Sequence, residues 1–255
     1  MMQTKQMAIV MALVFFADVI VFLIKPFGDS FFIVADLIVV LLAFLTFLLS
    51  VIAFRLHGLT SLQGKALLLL SVGMFLWFMG ESIWAFYEIV LGIDAPTASL
   101  ADVVWFAAYP VIVAGIIFAW KILQRPIRKE MPKAVLSLLI FLASSAAFLS
   151  FIFSEQGWTL ETFVSSGYVL GDMVLILSSI GLVLSMAGGK LARPWMIIAA
   201  GLILTAVADM AYSLITYETG MWLDLFWDAS YLLLAYGFFY YRQTFVSHMP
   251  AEGKK

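Results

Sequence analysis

Eight long apolar runs follow one another along this chain, and no other feature limits its fold as severely. A run of 18 or more apolar residues can cross a hydrocarbon core of about 30 Å at a rise of about 1.5 Å per residue. Such runs cover roughly 7–24, 31–54, 66–91, 99–121, 133–153, 164–187, 195–217 and 223–242. Turn chemistry separates them, as at Lys25-Pro26-Phe27-Gly28-Asp29, His57-Gly58, Asp94-Ala95-Pro96, Arg125-Pro126 to Pro132 and Gly188-Gly189 to Pro194. The runs are continuous, unlike the alternating segments of a membrane β-barrel. The chain is 64% hydrophobic and 12% charged, with a mean hydropathy of +1.08. Soluble domains are about half apolar and a quarter charged, so a soluble globular enzyme is excluded. The expected fold is an all-α, polytopic membrane helical bundle of eight transmembrane helices. No cysteine is present, which removes disulfides, thiol nucleophiles and zinc–thiolate sites, and two histidines, His57 and His248, are too few for a multi-His metal centre.

The charges orient the bundle. Counted by alternate loops, every Lys and Arg except Lys25 falls on one side, with the largest group at Lys121, Arg125, Arg128, Lys129 and Lys133. The positive-inside rule then places both termini in the cytoplasm of a multi-pass cell-membrane protein. The first run follows Met1 to Gln6 without a small-residue cleavage site, so it reads as a retained anchor.

The second half echoes the first. Asp102, Trp105, Tyr109 and Gly115 match Asp224, Trp227, Tyr231 and Gly237 at a constant offset of 122, and Gly73, Glu81 and Gly92 match Gly201, Asp209 and Gly220 at an offset of 128. Asp36 and Asp172 hold comparable places in the second and sixth runs. The chain therefore reads as one membrane domain, 1–255, built from two parallel four-helix repeats (about 7–121 and about 133–242) with a short cytoplasmic tail at 243–255. An even number of spans per unit relates the copies by an axis along the membrane normal.

With this topology the acids collect opposite the basic residues. Asp18, Asp36, Glu81, Asp102, Asp172, Asp209, Asp224 and Asp228 fall within the runs or at their outer ends, and Lys25 is the sole cation on that side. A carboxyl inside a bilayer is costly, so such groups face the bundle interior or a wet cavity. They are then protonated, hydrogen-bonded to Tyr, Trp, Ser or Thr, or bound to a cation. Asp224, Trp227, Asp228 and Tyr231 fall at i, i+3, i+4 and i+7, one helix face, and Asp102, Trp105 and Tyr109 repeat the pattern. Glu81 shares a face with Trp77, Trp84 and Glu88, and Asp209 with Tyr212, Ser213 and Thr216. The candidate ligand-binding set is thus Glu81, Trp84, Asp102, Trp105, Tyr109, Asp172, Asp209, Tyr212, Asp224, Trp227, Asp228 and Tyr231. Aromatic rings beside carboxylates suit a small organic cation, and the same oxygens suit a hard metal ion. The competing readings are helix capping for Asp102 and Asp224, an interfacial aromatic belt, and a purely structural polar network for Glu81, Asp172 and Asp209. Two features concern packing: Pro110 inside the fourth run predicts a kink near Phe106, and Gly167 with Gly171 allows close helix approach within the chain.

The run Gly80-Glu81-Ser82-Ile83-Trp84 to Gly92, then Ala98-Ser99-Leu100-Ala101-Asp102 and Tyr109-Pro110, resembles the multi-helix membrane region that precedes many bacterial diguanylate cyclase (GGDEF) and sensor kinase domains. Gly201 to Asp209 with Tyr212, Asp224, Trp227 and Tyr231 is similar to its later part. The resemblance covers roughly residues 66–120 and 195–240. It implies a sensory or signal-input module. Only 13 residues follow Arg242, so no cyclase, kinase or PAS domain is expected and output passes through a cytoplasmic partner.

The leading expectation is a sensor-like or ligand-binding membrane module with an outward acidic and aromatic pocket, its partners being the bilayer, a cationic small molecule or metal ion from outside, and a signalling protein. The alternatives are a proton- or cation-coupled transporter and an intramembrane lipid hydrolase using paired carboxylates, the latter through a weak likeness of Gly201 to Asp209 to the lysoplasmalogenase family. No catalytic residue stands out, and no cofactor or nucleic-acid motif is present.

Overall fold

The computed structural model describes residues 3–25, 28, 31–96, 98–123, 144–145, 147, 150, 153–154, 157–185, 190–213 and 221–248. Within them the long helices are α1 (Thr4–Ile24), α2 (Phe31–Phe54), α3 (Leu62–Ala85), α4 (Leu100–Leu123), α5 (Leu160–Ser185), α6 (Ala192–Tyr212) and α7 (Asp224–Ser247). No strand occurs among the described residues. Six helical segments are long and apolar enough to cross a membrane: Thr4–Ile24, Phe31–Phe54, Leu62–Leu91, Leu100–Ile122, Leu160–Ser185 and Ala192–Tyr212. The expected span at 133–153 falls largely outside the described residues. The last expected span, at 223–242, forms as α7 but is not among the six. Asp224, Asp228, Arg242 and four tyrosines dilute its apolar content, and α7 buries much of its length against other helices.

Local chemistry sets the helix ends. Ser61 starts α3, its Oγ accepting the Gly64 N–H at 2.9 Å. Ser99 starts α4: its Oγ accepts from Ala101 N–H at 3.1 Å, while the Asp102 carboxylate accepts the Ser99 N–H at 2.6 Å. These reciprocal bonds satisfy donors that a helix N-terminus leaves unpaired. At its far end α3 widens into a π-helical turn, Phe86–Leu91, closed by Gly92 at φ +64°, a conformation open to glycine without a Cβ clash. The helix α4 runs on through Pro110.

Helices α2 to α7 form a closed ring in which each packs on the next and α7 returns to α2, while α1 packs chiefly on α7. Where α3 meets α4, Gly73 faces Ile112 and Gly115 faces Leu70, so these helices run antiparallel. Where α6 meets α7, Gly201 faces Leu234 and Gly237 faces Ile198, again antiparallel. The α4–α5 seam is parallel. Phe106, Tyr109 and Trp120 of α4 lie in that order over Gly167, Gly171 and Gly181 of α5. The glycine pair on α5 thus admits rings from within the same chain, as its spacing predicts. The α2–α7 seam is parallel too, with Thr46 Oγ1 donating to the Tyr231 carbonyl at 2.9 Å and His57 meeting Tyr241 further on.

At that end of the ring His57 Nε2 lies 3.0 Å from the Tyr241 hydroxyl, and its ring packs 4.4 Å from that of Phe245. Trp195 stands edge-on to Tyr241 at 5.5 Å. His57 lies in the α2–α3 turn, outside the apolar helices, and burial holds its imidazole below the ordinary value. The folded protein therefore binds a proton there less readily than the unfolded chain. This contribution to stability is present above the unfolded value of about 6.5 and is lost as pH falls from there through the lower folded value.

Two outcomes follow from this packing. Gly237→Ala drives a methyl group into Ile198 and destabilises the bundle by about 1–3 kcal/mol in reversible unfolding; an unchanged midpoint contradicts the close seam. Between about pH 7 and pH 5, the stability lost by the wild type exceeds that lost by His57→Gln, measured by thermal unfolding at each pH.

Candidate functional site

The polar core is built around two tyrosines that reach across helix seams. Tyr109 on α4 donates its hydroxyl to Asp172 Oδ1 on α5 at 2.5 Å and lies 3.5 Å from Asp209 Oδ2 on α6. Trp227 on α7 donates its indole N–H to the other oxygen of Asp209, Oδ1, at 2.6 Å. Four consecutive helices thereby meet at one carboxyl pair, since the Asp172 and Asp209 groups lie within hydrogen-bonding reach of each other. Asp172 is fully buried, and its Oδ2 has no donor among the described residues. On the neighbouring side Tyr231 of α7 donates to Glu81 Oε1 of α3 at 2.6 Å, its ring standing edge-on to Trp77 at 6.3 Å.

The helices place these groups for simple reasons. Gly171 lacks a Cβ where the Tyr109 ring crosses it, so the phenol reaches Asp172 one residue further on. Gly80 likewise makes room for the Trp105 indole, which then packs against Trp84 with ring centroids 5.8 Å apart. Tyr212 stands edge-on to Trp227 at 5.7 Å and so backs the indole that holds Asp209. The groups acting on Asp172, Asp209 and Glu81 are other carboxyls, tyrosines and a tryptophan, with no Lys or Arg among them.

The remaining candidates divide. Asp102 caps α4 through Ser99 and also accepts from the Tyr168 hydroxyl of α5 at 2.7 Å, so its capping role is real and it has a second partner. Asp224 is not the cap of α7. Leu223 holds that position at the end of a 3-10 turn, Met221–Leu223, and Asp224 is the first helical residue. The single face expected for Asp224, Trp227, Asp228 and Tyr231 splits in two. Trp227 and Tyr231 turn to α6 and α3, whereas Asp228 turns to Asp18 of α1. Adjacent helical residues point about 100° apart, so Asp228 cannot follow Trp227. Asp36 in turn lies within hydrogen-bonding reach of Glu88 on the π-helical turn.

Three residues outside the candidate set complete these contacts. Tyr168 supplies the donor to Asp102 and stacks on Phe106 at 4.4 Å. Asp18 and Glu88 each pair with a second carboxyl. Tyr168 follows Gly167 and precedes Asp172 by one helical turn, a placement visible in the sequence once α4 is known to cover that glycine. No group of three or more His, Asp or Glu side chains among the described residues is arranged to hold a metal ion. Comparison with protein-family models, with curated proteins and with solved structures yields no match to this chain.

Chemically the arrangement can hold a proton, or exchange it for a small cation, between acceptors whose donors among the described residues are phenol and indole groups. Losing one of those donors strands a buried acceptor, which costs about 1–3 kcal/mol. Tyr231→Phe therefore lowers stability by that amount in chemical unfolding, while Glu81→Gln combined with Tyr231→Phe recovers part of the loss. If Tyr231→Phe unfolds like the wild type, the bond to Glu81 contributes nothing.

Proposed function

We propose that this chain is a receptor-like membrane module whose acid and aromatic core takes a small cation from the outer side and passes the change to a cytoplasmic partner. One observation carries the reading: Asp172 and Asp209 adjoin inside the bundle with Tyr109 and Trp227 as donors and, among the described residues, no Lys or Arg acting on them. Structural carboxyls in apolar surroundings are normally paired with a cation, because an isolated buried charge is strongly disfavoured. A site that supplies oxygens and ring faces but no positive charge is suited to receive one. Trp84 packs on Trp105, and Tyr212 packs on Trp227, the indole that donates to Asp209, so aromatic rings accompany the acids. Coupling to a partner requires two arrangements of the helices with different affinity for the cation. The sensory assignment draws further on the resemblance to the input regions of diguanylate cyclases and sensor kinases.

The same reading includes eight spans, two parallel four-helix repeats and cytoplasmic termini. Its support is internal. Gly73 to Ile112 and Gly115 to Leu70 recur as Gly201 to Leu234 and Gly237 to Ile198, each residue displaced by 128 on the third or sixth helix and by 122 on the fourth or seventh. Tyr231 to Glu81 recurs as Tyr109 to Asp209. The parallel runs of α4 with α5 and of α2 with α7 favour a chain that crosses once more between α4 and α5. A second reading, a proton- or cation-coupled carrier, is favoured by that duplication together with the carboxyl pairs, since repeats of this kind recur in transporters.

A thermal-shift series with sodium, calcium, choline and alkylamines on the purified protein separates these. Binding raises the midpoint in proportion to the logarithm of ligand concentration, by about 2.7 kcal/mol at a hundredfold excess over Kd. The shift disappears in Glu81→Gln and Asp209→Asn. If no cation shifts the wild type and both substitutions merely destabilise it, the core is a structural network and the receptor reading fails. Liposome flux that depends on pH and is abolished by the same two substitutions selects the carrier instead.

A further inference from the structure

The helix α1 is the outlier of the bundle. It buries only Met7, Met11, Asp18 and Phe22, a narrow stripe at helical spacing, and presents Leu13, Phe16 and Leu23 outward. Its main neighbour is α7. One carboxylic acid therefore sits in the middle of an otherwise apolar docking stripe. Its counterpart on α7 is Asp228, and the two carboxyl groups lie within hydrogen-bonding reach of each other. Asp18 is 4% exposed and Asp228 0% exposed, and none of their four oxygens has a donor among the described residues. The charged groups that act on them are further acids: Asp224 on α7 itself and Glu81 on α3 act on Asp228, and Asp36 on α2 acts on Asp224. On α6, the remaining neighbour of α7, Asp209 is engaged by Trp227.

Two carboxyl groups in such contact cannot both be ionised. Four acceptor oxygens facing one another repel, and in apolar surroundings the repulsion between like charges is weakly screened. One proton converts the pair into a hydrogen-bonded unit, with one group donating and the other accepting. We propose that Asp18 and Asp228 form a proton-binding site that clamps α1 to α7: the seam is closed while the pair holds a proton and opens when both groups lose it. The site is separate from the Tyr109–Asp172–Asp209 cluster, and the inference stands whether or not that cluster binds a cation. It assigns α1 a use distinct from the ring, as a lipid-facing helix whose docking reports proton activity.

The absence of native cysteine makes the test clean. Leu13→Cys on α1 and Val207→Cys on α6, both exposed positions, carry spin labels whose separation is read by pulsed electron resonance in liposomes across a pH series. The expected result is one separation at acid and neutral pH, with a second, longer one appearing as pH rises. In Asp228→Asn the amide donates to Asp18 without needing a proton, so the short separation persists at every pH; Asp18→Asn behaves alike. Infrared spectra should lose a protonated carboxyl C=O band in the Asp18→Asn, Asp228→Asn double variant. A wild-type separation that never changes while the protein stays folded overturns the clamp. So does a pH response that survives in Asp228→Asn, or closure that follows sodium or calcium concentration in place of pH. If either single variant fails to fold, the infrared comparison on the double variant decides alone, and an unchanged band overturns the proposal.

Discussion

A carboxyl group placed among membrane helices must find its hydrogen-bond partners inside the protein, because no water is there to supply them. At Asp102, Asp172, Asp209 and Glu81 this chain meets that demand with phenol and indole donors drawn from other helices, whereas Asp18 and Asp228 face each other without a donor among the described residues. Tyr109, Trp227, Tyr231 and Tyr168 each leave their own helix and engage an acid on another. The bonds tie α4 to α5, α7 to α6 and α7 to α3. The ring of helices and its polar interior are thus one construction. At one seam a glycine serves this directly: Gly171 leaves space for the Tyr109 ring beside Asp172.

The same demand explains α7. A helix that carries Asp224, Asp228 and several tyrosines is a poor membrane span alone, and it occupies the position with the most helical neighbours: α1, α2 and α6 pack along it. Several of its polar groups engage other helices. Trp227 serves α6, Tyr231 serves α3, the Tyr231 carbonyl receives Thr46 of α2, and Ser230 receives Thr205 of α6 at 2.8 Å. In contrast α1, α2 and the outer faces of α5 are apolar and exposed, as helices bordering lipid should be.

Much of this was legible in the sequence for physical reasons. Long apolar runs specify helices, and the recurrence of Asp, Trp, Tyr and Gly at fixed offsets marked the tyrosines and acids that do meet. Spacing along one helix also grouped Glu81 with Trp77 correctly, through Tyr231. Spacing failed where the partner lay on a different helix. It could not tell that Asp228 turns away from Trp227 toward α1, or that Asp102 has Tyr168 as a second donor, because both facts depend on which seam each face enters. The capping alternative held for Asp102 through Ser99 and failed for Asp224, where a 3-10 turn moves the cap to Leu223. The run at 223–242 forms as α7, whose acids and tyrosines leave it outside the six segments apolar enough to cross a membrane by themselves.

The central claim is that interhelical phenol–carboxyl bonds, such as that of Tyr109 with Asp172, hold the interior together. A double-mutant cycle on Tyr109→Phe and Asp172→Asn, followed by reversible unfolding in a lipid environment, tests it most directly. The account predicts a coupling energy of about 1–3 kcal/mol, the range for a hydrogen bond to a charged or strongly polar buried group. Additive losses, with no coupling between the two positions, would show that Tyr109 and Asp172 do not depend on each other and would contradict it.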